Sequence, residues 1–461
     1  MKKLPYIMMI LIFATVSFTS IAWADTTPSD MQAVWMATVY NLDFPTVKND
    51  ITAQKQEYIE KINNLKALGI NTVVVQVRPK ADALYKSQIN PWSDVLTGIQ
   101  GKDPGYDPLA FMIEEAHKRG MALHAWLNPY RVTTSGTDIN KLSPNHPARL
   151  HPEWLIKWNN ALYYNPELEG VKTHIVETVK EIVTNYDVDG IHFDDYFYPS
   201  NYPLPSGEDK DGPVANSRRE HVNDLIQRVS NAIKQINDEV SFGISPMGIW
   251  KNSTSDPTGS ETKGNESYYT VFADTRTWIK NGWIDYVVPQ IYWETGNKAA
   301  DYETLVKWWS NEVRETGVDL YIGHGLYKDV VAKEIDTQLR IAQKYPLVKG
   351  SFYYGMKNLL ANQAGSAEKI MAFNRLQSLE PSLNPQADVN ISSGQSPVKS
   401  GTVTASVLNV RSGAGLHNSV ITKVPRGTKV TVLNKEPGWY NVKLANGQVG
   451  WVSADYLTVN F

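Results

Sequence analysis

The chain has 461 residues, a formal net charge of −3, 42% hydrophobic residues and no cysteine. Ordinary hydrophobic content with 20% charged residues excludes a largely disordered chain. The near-neutral balance gives no reason to expect nucleic acid as a partner, and the missing cysteine excludes disulfides, thiolate metal sites, Cys nucleophiles and an acylated Cys anchor. The unusual feature is aromatic: 14 Trp and 24 Tyr, a surplus that suits sugar-binding surfaces as well as a large core.

The first 24 residues read as a signal peptide. Lys2 and Lys3 give a positive start, a mainly apolar run follows to Ile21, and Ala22-Trp23-Ala24 forms an A-x-A cleavage site. Cleavage after Ala24 is expected to leave a secreted, extracellular or wall-associated protein. No later stretch reaches about 18 uninterrupted apolar residues, so no membrane span is expected after cleavage.

Within an expected domain of residues 25–375, one unit recurs from residue 33 to about 375: amphipathic helix, glycine, then a β-branched or aromatic run. Counting "AVWMATVY" (33–40) first, the strands are "INTVVVQVR", "MALHAWLNPYR", "DGIHFDDYFYP", "VSFGISPMG", "WIDYVVPQIYWE", "VDLYIGHG" and "KGSFYYG". Helices are predicted over 53–68, 107–119, 171–186, 217–236, 268–281, 301–316, 331–344 and 366–378. Strand–helix alternation implies a parallel sheet, either open and doubly wound or closed. Eight units and no Gly-rich phosphate turn after the first strand favour an α/β (β/α)8 barrel, whose site sits at the C-terminal strand ends.

Those ends collect polar side chains. The fourth strand places His192, Asp194 and Tyr196 on one parity and Asp195 on the other. Two carboxylates ending a hydrophobic strand are costly to bury without a purpose or a cation; Asp194 is the first candidate, while Asp195 serves chemistry or orients an arginine. The second strand supplies Gln76, Arg78 and Asp82, with Arg78 expected to hold a carboxylate ionised. The third supplies His124, Trp126 and Asn128, then Arg131; the sixth supplies Gln290, Tyr292 and Glu294, with Trp293 beside them. His124 and His192 are core or ligand residues, and Trp126 and Trp293 are core or sugar platforms. Paired carboxyls across a barrel mouth match glycosidic cleavage, in which one protonates the leaving oxygen and the other attacks or activates water. No G-x-S-x-G or H-E-x-x-H is present, and no metal or cofactor is expected.

The blocks "VWMATVYNLDFP", "LGINTVVVQVRPKADALY", "NPWSDVLTG", "DPGYDPLAFMIEEAHKRGMALHAWLNPYR", "DGIHFDDYFYP", "SPMGIWKN" and "PQIYW", in this order, resemble the glycosyl hydrolase-like 10 family of secreted bacterial barrels. The resemblance spans about residues 29–375. It implies a (β/α)8 hydrolase of extracellular glycan, with peptidoglycan strands the expected substrate. It carries the family's acidic position onto Asp194, with Arg78, Asp82, Asn128, Gln290 and Tyr292 as matching strand-end residues. The second carboxyl stays open among Asp195, Asp82 and Glu294. A non-catalytic glycan-binding scaffold and a hydrolase of environmental polysaccharide are the alternatives.

Residues 376–400 are rich in Pro, Ser, Asn and Gln and read as a linker. Residues 401–461 alternate short strands with turns, Asn446-Gly447 being a strong hairpin signal. Leu408 to Gly413, Gly438-Trp439-Tyr440 and Gly450-Trp451-Val452 resemble a bacterial SH3 domain, a small all-β SH3-like barrel. Such modules hold secreted enzymes on cell-wall glycan, which is therefore the expected anchor. Six Lys or Arg against Glu436 and Asp455 give this tail +4, leaving −9 on residues 25–400. A cationic tail would be drawn to an anionic wall polymer.

Overall fold

The structure is a computed structural model that describes residues 30–379, 400–415, 418–436 and 438–460. The expected leader at 1–24 and most of the expected linker lie outside these residues. The chain divides into two compact units, one ending at Leu383 and the other beginning at Asn384.

In the first unit, β1 (Met31–Met36) leads to α1 (Ile51–Ala67), β2 (Thr72–Arg78), a one-turn α2 (Asp94–Thr97), α3 (Pro108–His117) and β3 (Ala122–Leu127). A short α4 (Pro147–Leu150) and a hairpin of β4 (Leu155–Trp158) and β5 (Ala161–Tyr164) precede α5 (Glu169–Asn185), β6 (Gly190–Phe193), α6 (Pro213–Ile236) and β7 (Ser241–Ile244). Then come α7 (Ser267–Thr270), α8 (Thr275–Lys280), β8 (Tyr286–Val287), α9 (Tyr302–Glu312), β9 (Asp319–Gly325), α10 (Asp329–Ala342), β10 (Val348–Tyr354), α11 (Met356–Leu360) and α12 (Ser366–Leu379). Leaving out the hairpin, the strands close a barrel in the order β1-β2-β3-β6-β7-β8-β9-β10, each pair parallel.

Local chemistry sets the helix starts. The carboxylates of Asp50, Asp107 and Asp301 accept the N–H groups of Ala53, Ala110 and Thr304 at the first turns of α1, α3 and α9. Pro108 and Pro213 occupy first-turn positions of α3 and α6, where no N–H is needed.

Strand alternation sorts the apolar residues into two cores. An outer core of β-branched side chains such as Val73, Val75 and Val77 meets the helices. A separate lumen core holds Ala33, Trp35, Val74, Trp126, Tyr286, Val288, Tyr321 and Phe352. Gly243 makes room for it, because a Cβ there would stand 1.9 Å from the Tyr286 ring.

Three details depart from the predicted elements. The helix expected over 268–281 is two short pieces, broken where Phe272 adopts φ 53°. The sixth strand stops after two residues because Pro289 has no N–H for the ladder; beyond it, Gln290 keeps only single bridges to Met247 and Gly323. The β4–β5 hairpin has no counterpart among the predicted elements. It turns at Asn159-Asn160, φ 47° and 57°, the two left-handed residues of a tight hairpin turn.

The second unit is a seven-stranded antiparallel sheet ordered β13-β12-β16-β15-β14-β11-β17. Its strands are β11 (Ser400–Val403), β12 (Val407–Arg411), β13 (Val420–Pro425), β14 (Lys429–Glu436), β15 (Trp439–Lys443), β16 (Val449–Ser453) and β17 (Leu457–Asn460). It packs around Val403, Leu408, Val410, Val430, Val442 and Val452, and β15 pairs with β16 across the Asn446-Gly447 turn.

Candidate active site

β6 ends at Phe193, and the chain turns through Asp194 and Asp195 at the barrel mouth. Asp194 is 4% exposed. Its Oδ2 accepts the Trp126 indole N–H at 3.1 Å and a short bond from the Asn128 amide, and its Oδ1 accepts the Tyr196 N–H at 3.1 Å. Burial pushes its carboxyl above the ordinary carboxylate range, while the Arg131 guanidinium and these donors pull it down. Asp195 is half-buried and accepts from the Gln290 amide at 3.1 Å. Burial first and the charge of Asp194 second push its carboxyl up to about 7. Of the two, Asp194 is the better equipped to be ionised, and Asp195 is the one to carry a proton near neutral pH.

The residues around this pair form a relay. Asn128 Oδ1 accepts from Gln76 Nε2 at 2.5 Å and from Arg131 Nη2 at 2.7 Å, which fixes its amide with the NH2 toward Asp194. Gln76 in turn accepts the Thr38 and Val39 N–H groups, each at 2.9 Å. Arg131 also donates to the Pro79 carbonyl and lies 4.9 Å from the centroid of the Tyr196 ring. Tyr292 stacks on Tyr354, ring centroids 5.8 Å apart at 7°. Burial raises the Tyr292 hydroxyl well above its usual pKa, with contributions from both carboxylates. A Cβ on Gly325 would stand 2.8 Å from the Tyr292 ring, so glycine admits this stack.

Beneath the pair lies a closed polar layer. Trp35 Nε1 donates to His192 Nε2 at 3.1 Å, which leaves the proton of neutral His192 on Nδ1, 3.0 Å from the Tyr286 hydroxyl. That hydroxyl then donates to His124 Nδ1 at 2.8 Å. Ser245 Oγ lies 2.9 Å from His192 Nε2. Burial drives both histidines down, His124 to about 4, so they stay neutral. They form the floor of the site and do not reach its opening.

Several strand-end residues expected at the site lie elsewhere. A register shift between Gln76 and Arg78 turns Arg78 out of the lumen toward α5. Fully buried, it holds the Asn128 and Pro129 carbonyls at 2.7 and 3.1 Å and His174 Nε2 at 3.4 Å; among the described residues it makes no direct ion pair, and the Asp82 charge acts on it only at longer range. Asp82 is fully buried in its own loop, accepting the Lys80 N–H and the Gln100 amide. The break at Pro289 ends the alternation that would bring Glu294 inward, and its carboxylate accepts from Asn297 in its own turn. The Trp293 ring packs on the outer core with Lys328 Nζ 5.7 Å above it. Trp126 is 6% exposed and serves as a donor rather than an open platform.

The open rings are tyrosines instead. Tyr196 is 45% exposed and Tyr40 is 73% exposed, the latter with φ 59°. Tyr163 of the hairpin bridges to Arg131, and its hydroxyl feels both the Arg131 guanidinium and Tyr40. Tyr354 could have been found as the end of "KGSFYYG", and Tyr163 from the Asn-Asn turn beside it; nothing in the sequence marks Tyr40. Among the described residues, no three His, Cys, Asp or Glu side chains gather to hold a metal ion.

The glycosyl hydrolase-like 10 family model matches residues 30–341, about two-thirds of the chain. The chain belongs to this family. A bacterial SH3 domain matches residues 406–458. The "Glycosyl hydrolase YngK" of Bacillus subtilis is 45% identical over 361 residues, covering 74% of this chain and 71% of that protein. The "Glycosyl hydrolase DigH" of Escherichia coli is 41% identical over 346 residues, covering 69% and 78%. Among solved structures, alpha-L-fucosidase isoenzyme 2 from Paenibacillus thiaminolyticus aligns with a TM-score of 0.50 at 14% identity, over 77% of this chain and 50% of that enzyme, a likeness of fold. This member of the glycosyl hydrolase-like 10 family is a glycoside hydrolase with an SH3-like C-terminal module.

Proposed function

We propose that the enzyme cleaves the glycan strands of peptidoglycan outside the cell, with Asp195 as general acid and Asp194 as its ionised partner. The observation that carries this is the unequal environment of two adjacent carboxyls. Asp194 accepts three N–H donors, which favour its charge, whereas Asp195 accepts one and sits beside that charge. Such a pair divides glycosidic chemistry: the protonated member gives its proton to the leaving oxygen, and the charged member stabilises the cationic sugar. Exposed Tyr40 and Tyr196 rings suit the apolar faces of pyranoses. The leader at 1–24 would export the chain, and the +4 tail would hold it on wall glycan.

The test uses residues 25–461, assayed on peptide-free glycan strands, intact peptidoglycan and soluble polysaccharides. New reducing ends from the wall glycan, and their loss in Asp194→Asn, are expected. Binding without new reducing ends would make the protein a glycan scaffold. Faster cleavage of a soluble polysaccharide would move the substrate outside the wall.

A further inference from the structure

A hydrolase needs a nucleophile for the anomeric carbon, and the barrel mouth lacks an obvious one. Direct displacement uses carboxyls on opposite faces of the sugar, about 5–5.5 Å apart for retention and 6.5–9.5 Å for inversion. Asp194 and Asp195 are consecutive, so both approach from one strand end. The other carboxyls that the strand-end loops carry are already committed. Asp43 accepts the Ala37 and Lys357 N–H groups at 2.9 and 3.2 Å, and Asp82 accepts from Lys80 and Gln100 at 3.1 and 3.3 Å. Glu294 accepts from Asn297 at 2.8 Å.

We propose that the nucleophile is the substrate's own 2-acetamido oxygen, so that the enzyme cleaves only bonds whose glycosyl donor is an N-acetylated 2-amino sugar. This rests on the hydrolase reading above and names its substrate class. The adjacent pair fits the two tasks of such a reaction, giving a proton to the leaving oxygen and accepting a hydrogen bond from the acetamido N–H. Asp195 gives its proton to the glycosidic oxygen as the C1–O bond breaks, and the acetamido carbonyl oxygen closes onto C1. The amide nitrogen becomes cationic, and the Asp194 carboxylate, held by Trp126, Asn128 and Tyr196, accepts a hydrogen bond from its N–H. In the second step the Asp195 carboxylate takes a proton from water, the water oxygen bonds to C1, and the C1–acyl oxygen bond breaks. The acetamido group is restored and Asp195 is reprotonated. The stacked Tyr292–Tyr354 pair, with Trp35 6.2 Å from Tyr354, supplies an apolar wall for the acetyl methyl.

The test compares peptide-free peptidoglycan glycan with the same glycan after chemical de-N-acetylation, followed by reducing-end release and by NMR of the first-formed anomer. Inhibition by N-acetylglucosamine-thiazoline, a stable analogue of the cyclised intermediate, is measured alongside. The expected result is at least 1,000-fold slower cleavage of the de-N-acetylated glycan, retained configuration, and competitive inhibition by the thiazoline that weakens at least tenfold in Asp194→Asn. Cleavage of both glycans at similar rates, or an inverted product, would overturn the inference and leave the hydrolase reading standing. Failure to cleave either glycan would overturn both.

Discussion

Replacing Asp195 by Asn separates the role of its proton from the role of its position. Asn is nearly isosteric, so the Gln290 contact and the backbone turn are retained while the titrating proton is lost. Loss of a general acid costs about 10²–10⁴ in rate, or roughly 3–5 kcal/mol of barrier. That cost depends on how much the leaving oxygen needs protonation. An N-acetylated oligosaccharide carrying a dinitrophenyl aglycone, which departs as a stable anion, should therefore lose less than about tenfold. Wild-type activity on natural glycan should fall as pH rises through about 7, where Asp195 loses its proton, and this limb should vanish in Asp195→Asn. The same group leaves a mark on stability. Its folded pKa of about 7 lies well above that of an ordinary Asp, so between about pH 4 and 7 the folded state holds a proton that the unfolded state has released, and stability declines as pH rises. The variant should be more stable than wild type at pH 8, by at most ~4 kcal/mol. Urea unfolding at pH 5 and pH 8, with rates on both substrates, makes the check. Equal rate losses on the two substrates would refute the acid assignment.

Trp126→Phe keeps the ring and removes one of three donors to Asp194, so kcat should fall about 10- to 100-fold with little change in KM. Tyr286→Phe strips the hydroxyl that joins His124 to His192; two buried ring nitrogens lose a partner, and urea unfolding should report a loss of about 2–4 kcal/mol. Tyr40→Gly should relieve left-handed strain and raise stability by roughly 1 kcal/mol, while KM for glycan rises as an exposed ring is lost; an unchanged KM would remove Tyr40 from the binding surface. His124, His146, His174, His192 and His324 are all depressed by burial and remain neutral when folded. The unfolded chain binds those protons near pH 6.5, so stability should fall as pH drops from about 6.5 to 4, against the opposite contribution of Asp195. Urea midpoints that stay flat or rise across that range would contradict the burial of these rings.

Period and punctuation made the barrel readable. Every barrel strand follows a helix–glycine or helix–polar stop, apart from the first, and the inward parity of β3 places His124, Trp126 and Asn128 toward the lumen as counted. Parity failed wherever regular strand geometry stopped. The register shift before Arg78 and the missing N–H at Pro289 each moved a charged side chain away from the site. Asp194 and Asp195, beyond the last paired residue of β6, both face the mouth because the chain turns there. The aromatic surplus was real but divided differently from expectation. Indoles fill the lumen, the outer core and one hydrogen bond to Asp194, while the exposed rings are tyrosines on loops, where hydrophobic periodicity carries no signal.

The depth of Asp194 and the partial exposure of Asp195 follow from one arrangement. A carboxylate can be held ionised at 4% exposure only if donors replace the lost water. Asn128 can direct its NH2 at Asp194 only because Gln76 and Arg131 occupy its oxygen; with the amide reversed, its NH2 would face their donors and its oxygen would face the carboxylate. Gln76 has its own orientation fixed by two backbone N–H groups. The orientation is thus passed from the β1 loop through two amides to the carboxylate, with no titrating group along the way. The donors that favour the Asp194 charge thus belong to a chain that pH does not disturb, and that charge helps to keep the Asp195 proton in place. Gln76→Glu tests this directly. It would put an anion against the Asn128 oxygen and turn the Asn128 amide over, and the basic limb of the pH–rate profile should shift as Asp194 loses its donor. A variant with lower kcat but an unmoved limb would mean that the relay supports packing alone.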